Sequence, residues 1–206
     1  MRFKLIVAVV VILALGAGFW VASGLRGGEL PATGAIVLDT PRDPGSFRLV
    51  DHHGQPFGPA EIRDQWTLWF FGFTHCPDIC PMTLSALNLT DQALADAGAA
   101  RPTVVMVSVD PQRDTPEKLA AYVPFFNDTF VGVTGTTAEV LTLTERLGII
   151  VQYVARDGDD YTVEHGASLL LTGPDGLVRA VFTAPHEPQK LAQDLAVLIP
   201  WLEKNR

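Results

Sequence analysis

Cys76 and Cys80 are the only cysteines in the chain, and three residues stand between them. They lie in Phe71-Gly72-Phe73-Thr74-His75-Cys76-Pro77-Asp78-Ile79-Cys80-Pro81. A thiolate is both the nucleophile of disulfide exchange and a soft metal ligand. The apolar run Thr67–Phe73 ahead of the pair reads as a buried strand. A helix is expected from about Pro81 to Ala97, because proline suits the first helical turn, where its missing N–H would be unpaired anyway. At a helix start the dipole favours an anion, so thiolate is expected over thiol. Redox pairs of thioredoxin type have two intervening residues. A loop with three can still close into a disulfide, and it can also open so that both sulfurs face one ion.

Two thiolates and one imidazole make a soft ligand set of low coordination number. A closed zinc site wants four ligands and an iron–sulfur cluster wants four cysteines, so Cu(I) is the better match. A small structural disulfide is the plain alternative, though a pair so close in sequence constrains the unfolded chain little. Five histidines compete to supply the imidazole. His52 and His53 read as solvated turn residues beside Gly54. His186, after Pro185, reads as a capping or exposed residue at the start of a helix. His75 adjoins Cys76, and neighbouring side chains often point apart. His165, in Val163-Glu164-His165-Gly166-Ala167, is placed in a loop ahead of the apolar strand Ser168–Thr172, from which it could face the cysteines.

The elements that must position these groups alternate. Strands are expected at Phe47–Asp51 (an edge strand), Thr67–Phe73, Thr103–Val109, Val131–Thr134 and Ile149–Ala155. Helices are expected at Pro81–Ala97, Thr115–Phe125, Thr137–Leu147 and Glu187–Ile199. Asp157-Gly158-Asp159-Asp160 reads as a turn, and Ser168–Thr172 with Leu177–Phe182 as a hairpin closed by Gly173-Pro174-Asp175-Gly176. This order predicts an α/β protein of thioredoxin-like fold with a mixed central sheet, insertions and an added β-hairpin.

Composition narrows the functions. The chain has 206 residues, 48% hydrophobic and 18% charged, with net charge −8. Such a chain is not globally disordered, and without a basic run it has no footprint for nucleic acid. Arg2 and Lys4 precede an unbroken apolar run from Leu5 to Ala22. As a helix this run would extend about 27 Å, close to the hydrocarbon thickness of a bilayer. Basic residues ahead of it place the rest of the chain on the outer side. A cleaved signal peptide is the competing reading, but its apolar region is shorter and ends in an A-x-A-like site, which Trp20-Val21-Ala22-Ser23-Gly24 lacks. The expected organisation is a membrane anchor over 1–25, a linker over 26–45 and a folded domain over 46–206. The anchor is a single transmembrane helix in the inner membrane of a bacterium, with the domain in the periplasm.

Phe70–Pro81 resembles the signature of the Sco/SenC copper proteins. Val109-Asp110-Pro111-Gln112-Arg113-Asp114-Thr115-Pro116 is similar to that family's second marker, and Val133-Thr134-Gly135-Thr136 to a third. The likeness extends from about Phe47 to Leu202. It implies a thioredoxin-like domain that binds copper, Cu(I) and in some states Cu(II), through Cys76, Cys80 and His165. In the family the histidine commonly follows an aspartate and precedes serine or threonine; here its neighbours are Glu164 and Gly166. Asp110 and Arg113 match the second marker and are read as a turn leading into a helix. The resemblance implies a role in maturing the copper site of cytochrome c oxidase subunit II, by handing over copper or by reducing that site's cysteines through a mixed disulfide. A second periplasmic copper chaperone or a thiol reductant would be a further partner. The acidic surface is compatible with a basic patch on a partner. Two other readings remain open: a periplasmic thiol–disulfide oxidoreductase with Cys76 and Cys80 as redox thiols, and a thiol peroxidase on the same fold.

Overall fold

The computed structural model describes residues 30–156 and 161–205. In chain order its strands are β1 (Ala35–Arg42), β2 (Leu49–Asp51), β3 (Pro56–Phe57), β4 (Thr67–Gly72), β5 (Thr103–Ser108), β6 (Val131–Thr134), β7 (Val151–Ala155), β8 (Tyr161–His165), β9 (Leu169–Thr172) and β10 (Val178–Phe182). The helices are α1 (Ile79–Asp96), α2 (Pro116–Tyr122), α3 (Thr137–Leu147) and α4 (Pro188–Lys204). The proposed membrane anchor and the Asp157–Asp160 turn lie outside the described residues. Among the described residues no helix is long and apolar enough to cross a membrane.

Every residue of β4 is buried, as its unbroken apolar sequence requires of a strand covered on both faces. Trp69, Phe70 and Phe71 are fully buried, and each such side chain contributes about 1.5–3 kcal/mol to folding. The indole N–H of Trp69 donates to Thr172 Oγ1 at 2.6 Å, so its one polar atom is satisfied. Eight strands form one mixed sheet in the order β1-β10-β9-β4-β5-β6-β2-β3. The central strands β4, β5 and β6 run parallel, and β9 runs antiparallel to β4. The carboxyl ends of β4 and β5 therefore share one rim of the sheet, with Gly72 opposite Ser108. The start of β9 reaches the same rim, since Leu169 pairs with Phe70. Three connecting segments converge there: the cysteine loop, residues 109–115, and the chain that leads into β9.

Helices α1 and α4 pack against each other, and α2 lies on β6. At Gly132 a Cβ would come within 2.9 Å of Val123 and 3.2 Å of Leu119, so the absent side chain lets α2 and the turn after it sit close to the strand. Helix α3 has the expected bounds because both its ends are written locally. Thr136 and Glu139 form a reciprocal capping box, and Gly148 ends the helix at φ 73°.

Four expectations are corrected. The stretch read as a linker carries β1, which pairs antiparallel with β10 at the sheet edge; its mostly half-exposed residues and Pro41 obscure the strand signal, and an edge position tolerates a proline. Strand β2 is not the edge, because β3 pairs outside it. Helix α4 continues through Pro200 to Lys204, held by buried Leu198, Ile199 and Leu202. Tyr161–His165 forms a strand, β8, where a loop was expected; it pairs only with β7, in a two-stranded ribbon apart from the main sheet.

Candidate metal centre

Strand β4 ends at Gly72, and the chain turns back so that the Cys76 N–H donates to the Phe73 carbonyl at 3.2 Å. Helix α1 begins at Ile79, two residues earlier than its proline suggests, which puts Cys80 inside the first turn. Cys76 is 8% exposed and Cys80 is fully buried; both are free thiols. Gly72 makes room for them. A Cβ there would lie 3.2 Å from Cys80 Sγ and 2.8 Å from two ring carbons of Phe70.

Burial dominates the electrostatics of Cys80 and pushes its thiol well above the usual cysteine range. A hydrogen bond with Cys76 acts in the same direction, and the Phe73 N–H, which donates to the Cys80 sulfur, opposes it. The expected thiolate at the helix start is therefore corrected for Cys80: desolvation outweighs the helix N-terminus, and the metal-free form carries the proton.

His165 is the last residue of β8, opposite Val151. Its Nε2 lies 3.7 Å from Cys80 Sγ, across 85 residues of sequence. The ring meets Phe73 edge-on, with centroids 5.9 Å apart. Nδ1 is 3.1 Å from the Gly166 carbonyl; assigning the N–H to Nδ1 satisfies that contact and leaves the Nε2 lone pair facing the sulfur. Burial holds the imidazolium below the usual histidine range, so the ring is neutral at pH 7. A neutral imidazole is the form that binds a metal.

The ribbon that carries His165 is fastened by residues whose role the sequence did not disclose. Tyr161 donates from its hydroxyl to Asp110 Oδ1 at 2.6 Å. Arg113 pairs with the other oxygen of Asp110, donates to the Tyr161 carbonyl at 3.0 Å, and covers the Tyr161 ring at 3.9 Å. Tyr153 donates to the Val109 carbonyl at 2.8 Å. Asp114 fastens the cysteine loop: it accepts from the Thr74 N–H at 2.9 Å, the Thr74 hydroxyl at 2.5 Å and the Ser108 hydroxyl at 2.7 Å. Residues 109–114 thus hold both halves of the site to the rim, and Thr115 caps α2 by accepting from the Lys118 N–H. The spacing of Asp110 and Arg113 was visible in the sequence, but their target on β8 was not.

The other histidines lie elsewhere. His52 is buried, contrary to its reading as a solvated turn residue; its Nδ1 accepts from the Gly132 N–H at 2.9 Å, tying the turn after β2 to β6. His53 is exposed beside it. His186 donates from Nε2 to the Ala167 carbonyl at 2.6 Å and so holds the segment between β8 and β9. His75 is exposed, 3.8 Å from Asp114 Oδ1, and forms with Asp110 and Asp114 a group whose polar atoms lie within 4.8 Å of one another. Both carboxylates in that group already accept from the donors named above, so it is an anchoring network.

The structure brings His165 to Cys80 and sets Cys76 beside Cys80, and two thiols with one imidazole are groups whose chemistry suits one soft ion. Bonds of about 2.3 Å to sulfur and 2.0 Å to nitrogen, meeting at roughly 110–120°, separate the two atoms by about 3.5–3.7 Å, and Cys80 Sγ and His165 Nε2 lie 3.7 Å apart. Two sulfurs and a neutral imidazole favour Cu(I).

Comparison with known proteins places the chain among relatives of one family. The family model described as SCO1/SenC matches residues 38–200. A Stutzerimonas stutzeri protein named for copper binding is 34% identical over 160 residues, which cover 78% of each chain. The structure of Bradyrhizobium japonicum ScoI with copper bound has a TM-score of 0.67 at 32% identity and covers 75% of this chain and 98% of its own. BsSco, described as a member of the Sco family of cytochrome c oxidase assembly proteins, shares the fold with a TM-score of 0.61 at 23% identity, covering 77% of this chain and 95% of its own.

Proposed function

The chain belongs to the SCO1/SenC family, and on that premise we propose that it is a membrane-anchored periplasmic copper carrier serving the copper site of cytochrome c oxidase subunit II. The observation that carries the reading is the approach of His165 Nε2 to Cys80 Sγ. The relative with copper bound and the relative described as an oxidase assembly protein support the cargo and the destination. The apolar run Leu5–Ala22 behind Arg2 and Lys4 supports the anchor and its orientation in a bacterial inner membrane.

Copper is the cargo, and Cys76, Cys80 and His165 would hold it. Three protein ligands leave room for a fourth from a partner, so the ion can pass by stepwise exchange, each incoming thiolate replacing one that leaves. Reduction of the target's cysteines by the same dithiol is compatible with these residues, but it requires an accessible thiolate to attack. Burial of both sulfurs and the raised Cys80 thiol favour carriage over redox attack.

The test is complementation in cells lacking the gene, grown at limiting copper. Wild type is expected to restore oxidase activity, while His165→Ala and the Cys76→Ser/Cys80→Ser double variant are expected to fail. Full restoration by His165→Ala would favour thiol–disulfide chemistry as the main role.

A further inference from the structure

Gly166, Ala167 and Ser168 join the ribbon to the main sheet. The last ribbon pair is Val151 with His165, and β9 begins where Leu169 pairs with Phe70, so these three residues lie between the two ladders. A Cβ at Gly166 would meet nothing within 4 Å, so neighbouring side chains do not confine the residue that follows His165, and glycine adds backbone freedom of its own. Among the described residues, the side chain that reaches this stretch from another element is His186, whose Nε2 lies 2.6 Å from the Ala167 carbonyl. A carbonyl only accepts, so Nε2 carries the hydrogen. His186 is itself tied to the helix that carries Cys80. It stands two residues ahead of α4, which packs on α1. The buried Thr90 hydroxyl of α1 donates to the Ala86 carbonyl at 2.9 Å and also reaches the Pro188 carbonyl at 3.3 Å. A chain of contacts therefore runs from α1 through Thr90, Pro188, His186 and Ala167 to His165, whose Nε2 stands 3.7 Å from Cys80 Sγ. It meets the ribbon beyond His165, whereas Tyr161 and Asp110 hold it four residues earlier.

We propose that His186 is a positioning residue for the copper site: by donating to the Ala167 carbonyl it fixes where the His165 ring stands relative to Cys80, and it takes no part in coordination itself. Hydrogen bonds outside the ligand set orient a metal-binding imidazole and so set the affinity of the site. Because His186 acts through His165, its effect on copper must vanish when His165 is no longer a ligand. The inference rests on the copper reading above.

The test titrates the detergent-solubilised full chain with Cu(I) against a chromophoric chelator. His186→Leu removes the donor, and His186→Gln offers an amide N–H at about the reach of Nε2. His186→Leu is expected to bind copper about tenfold more weakly, the lower end of what losses in the supporting shell of a metal site cost, and His186→Gln is expected to recover most of that loss. In a His165→Ala background, His186→Leu is expected to cause no further loss. If His186→Leu does not fold, His186→Asn, whose shorter amide falls short of Ala167, takes its place in both backgrounds. Unchanged affinity in the donor-less variant, or the same tenfold loss with and without His165, would overturn this inference and leave the copper reading standing. Wild type that takes up no copper would overturn the copper reading, and the inference with it.

Discussion

The Tyr161 hydroxyl donates to Asp110 across 2.6 Å, joining the ribbon that carries His165 to the loop that leaves β5. His165 stands four residues further along the same strand. The geometry of the centre thus depends on a contact that includes none of the proposed ligands. Tyr161→Phe should retain one copper per chain but weaken Cu(I) binding about 10–100-fold, as losses in the supporting shell of a metal site do. Chelator competition measures this. Unchanged affinity would mean that the ribbon is held adequately by Arg113 and Tyr153.

Gly72 is required by the Cys80 sulfur and the Phe70 ring, both of which a Cβ would crowd. Gly72→Ala should cost about 1–3 kcal/mol in stability, the usual penalty for overpacking a core, and should weaken copper binding by displacing Cys80. Calorimetry of the metal-free variant and a chelator titration check the two effects separately.

Loading should release protons. Cys80 is held protonated well above neutral pH, while His165, whose charged form burial disfavours, is already neutral at pH 7. Copper displaces the Cys80 proton, so apparent affinity should rise with pH, about tenfold per unit for each proton displaced. Titrations between pH 6.5 and 8.5 test this, and a flat profile would contradict it.

Acid should destabilise the metal-free fold. Burial lowers the folded pKa of both His52 and His165 below the ordinary histidine value of about 6.5. Below about 6.5 the unfolded chain binds protons that the folded chain refuses, so this part of the stability is complete above 6.5 and lost as pH falls. The urea midpoint should drop between pH 7.5 and 5.5. His52→Asn, whose Oδ1 can still accept from Gly132, should reduce that drop.

The sequence disclosed what is written locally. β4 was legible from its run of apolar and aromatic residues, and α3 over Thr137–Leu147, bounds that the Thr136–Glu139 capping box and Gly148 account for. The cysteine pair was legible because its flanking strand and proline fix its place between β4 and α1. The rest depends on tertiary contacts. β8 is short, half-exposed and separate from the main sheet, so no periodicity distinguished Tyr161–His165 from a loop. His165 reaches the cysteines because β9 runs antiparallel to β4 and begins at the same rim, a pairing that single-residue spacing cannot express. Cys80 was misjudged for the same reason: a helix start is visible in sequence, whereas the burial that outweighs it is not.

X-ray absorption of the Cu(I)-loaded protein, set beside His165→Ala, tests the central claim most directly. One copper bound by two sulfurs and one nitrogen, with the nitrogen lost in the variant, is the predicted result. The same all-sulfur environment in both proteins would contradict it.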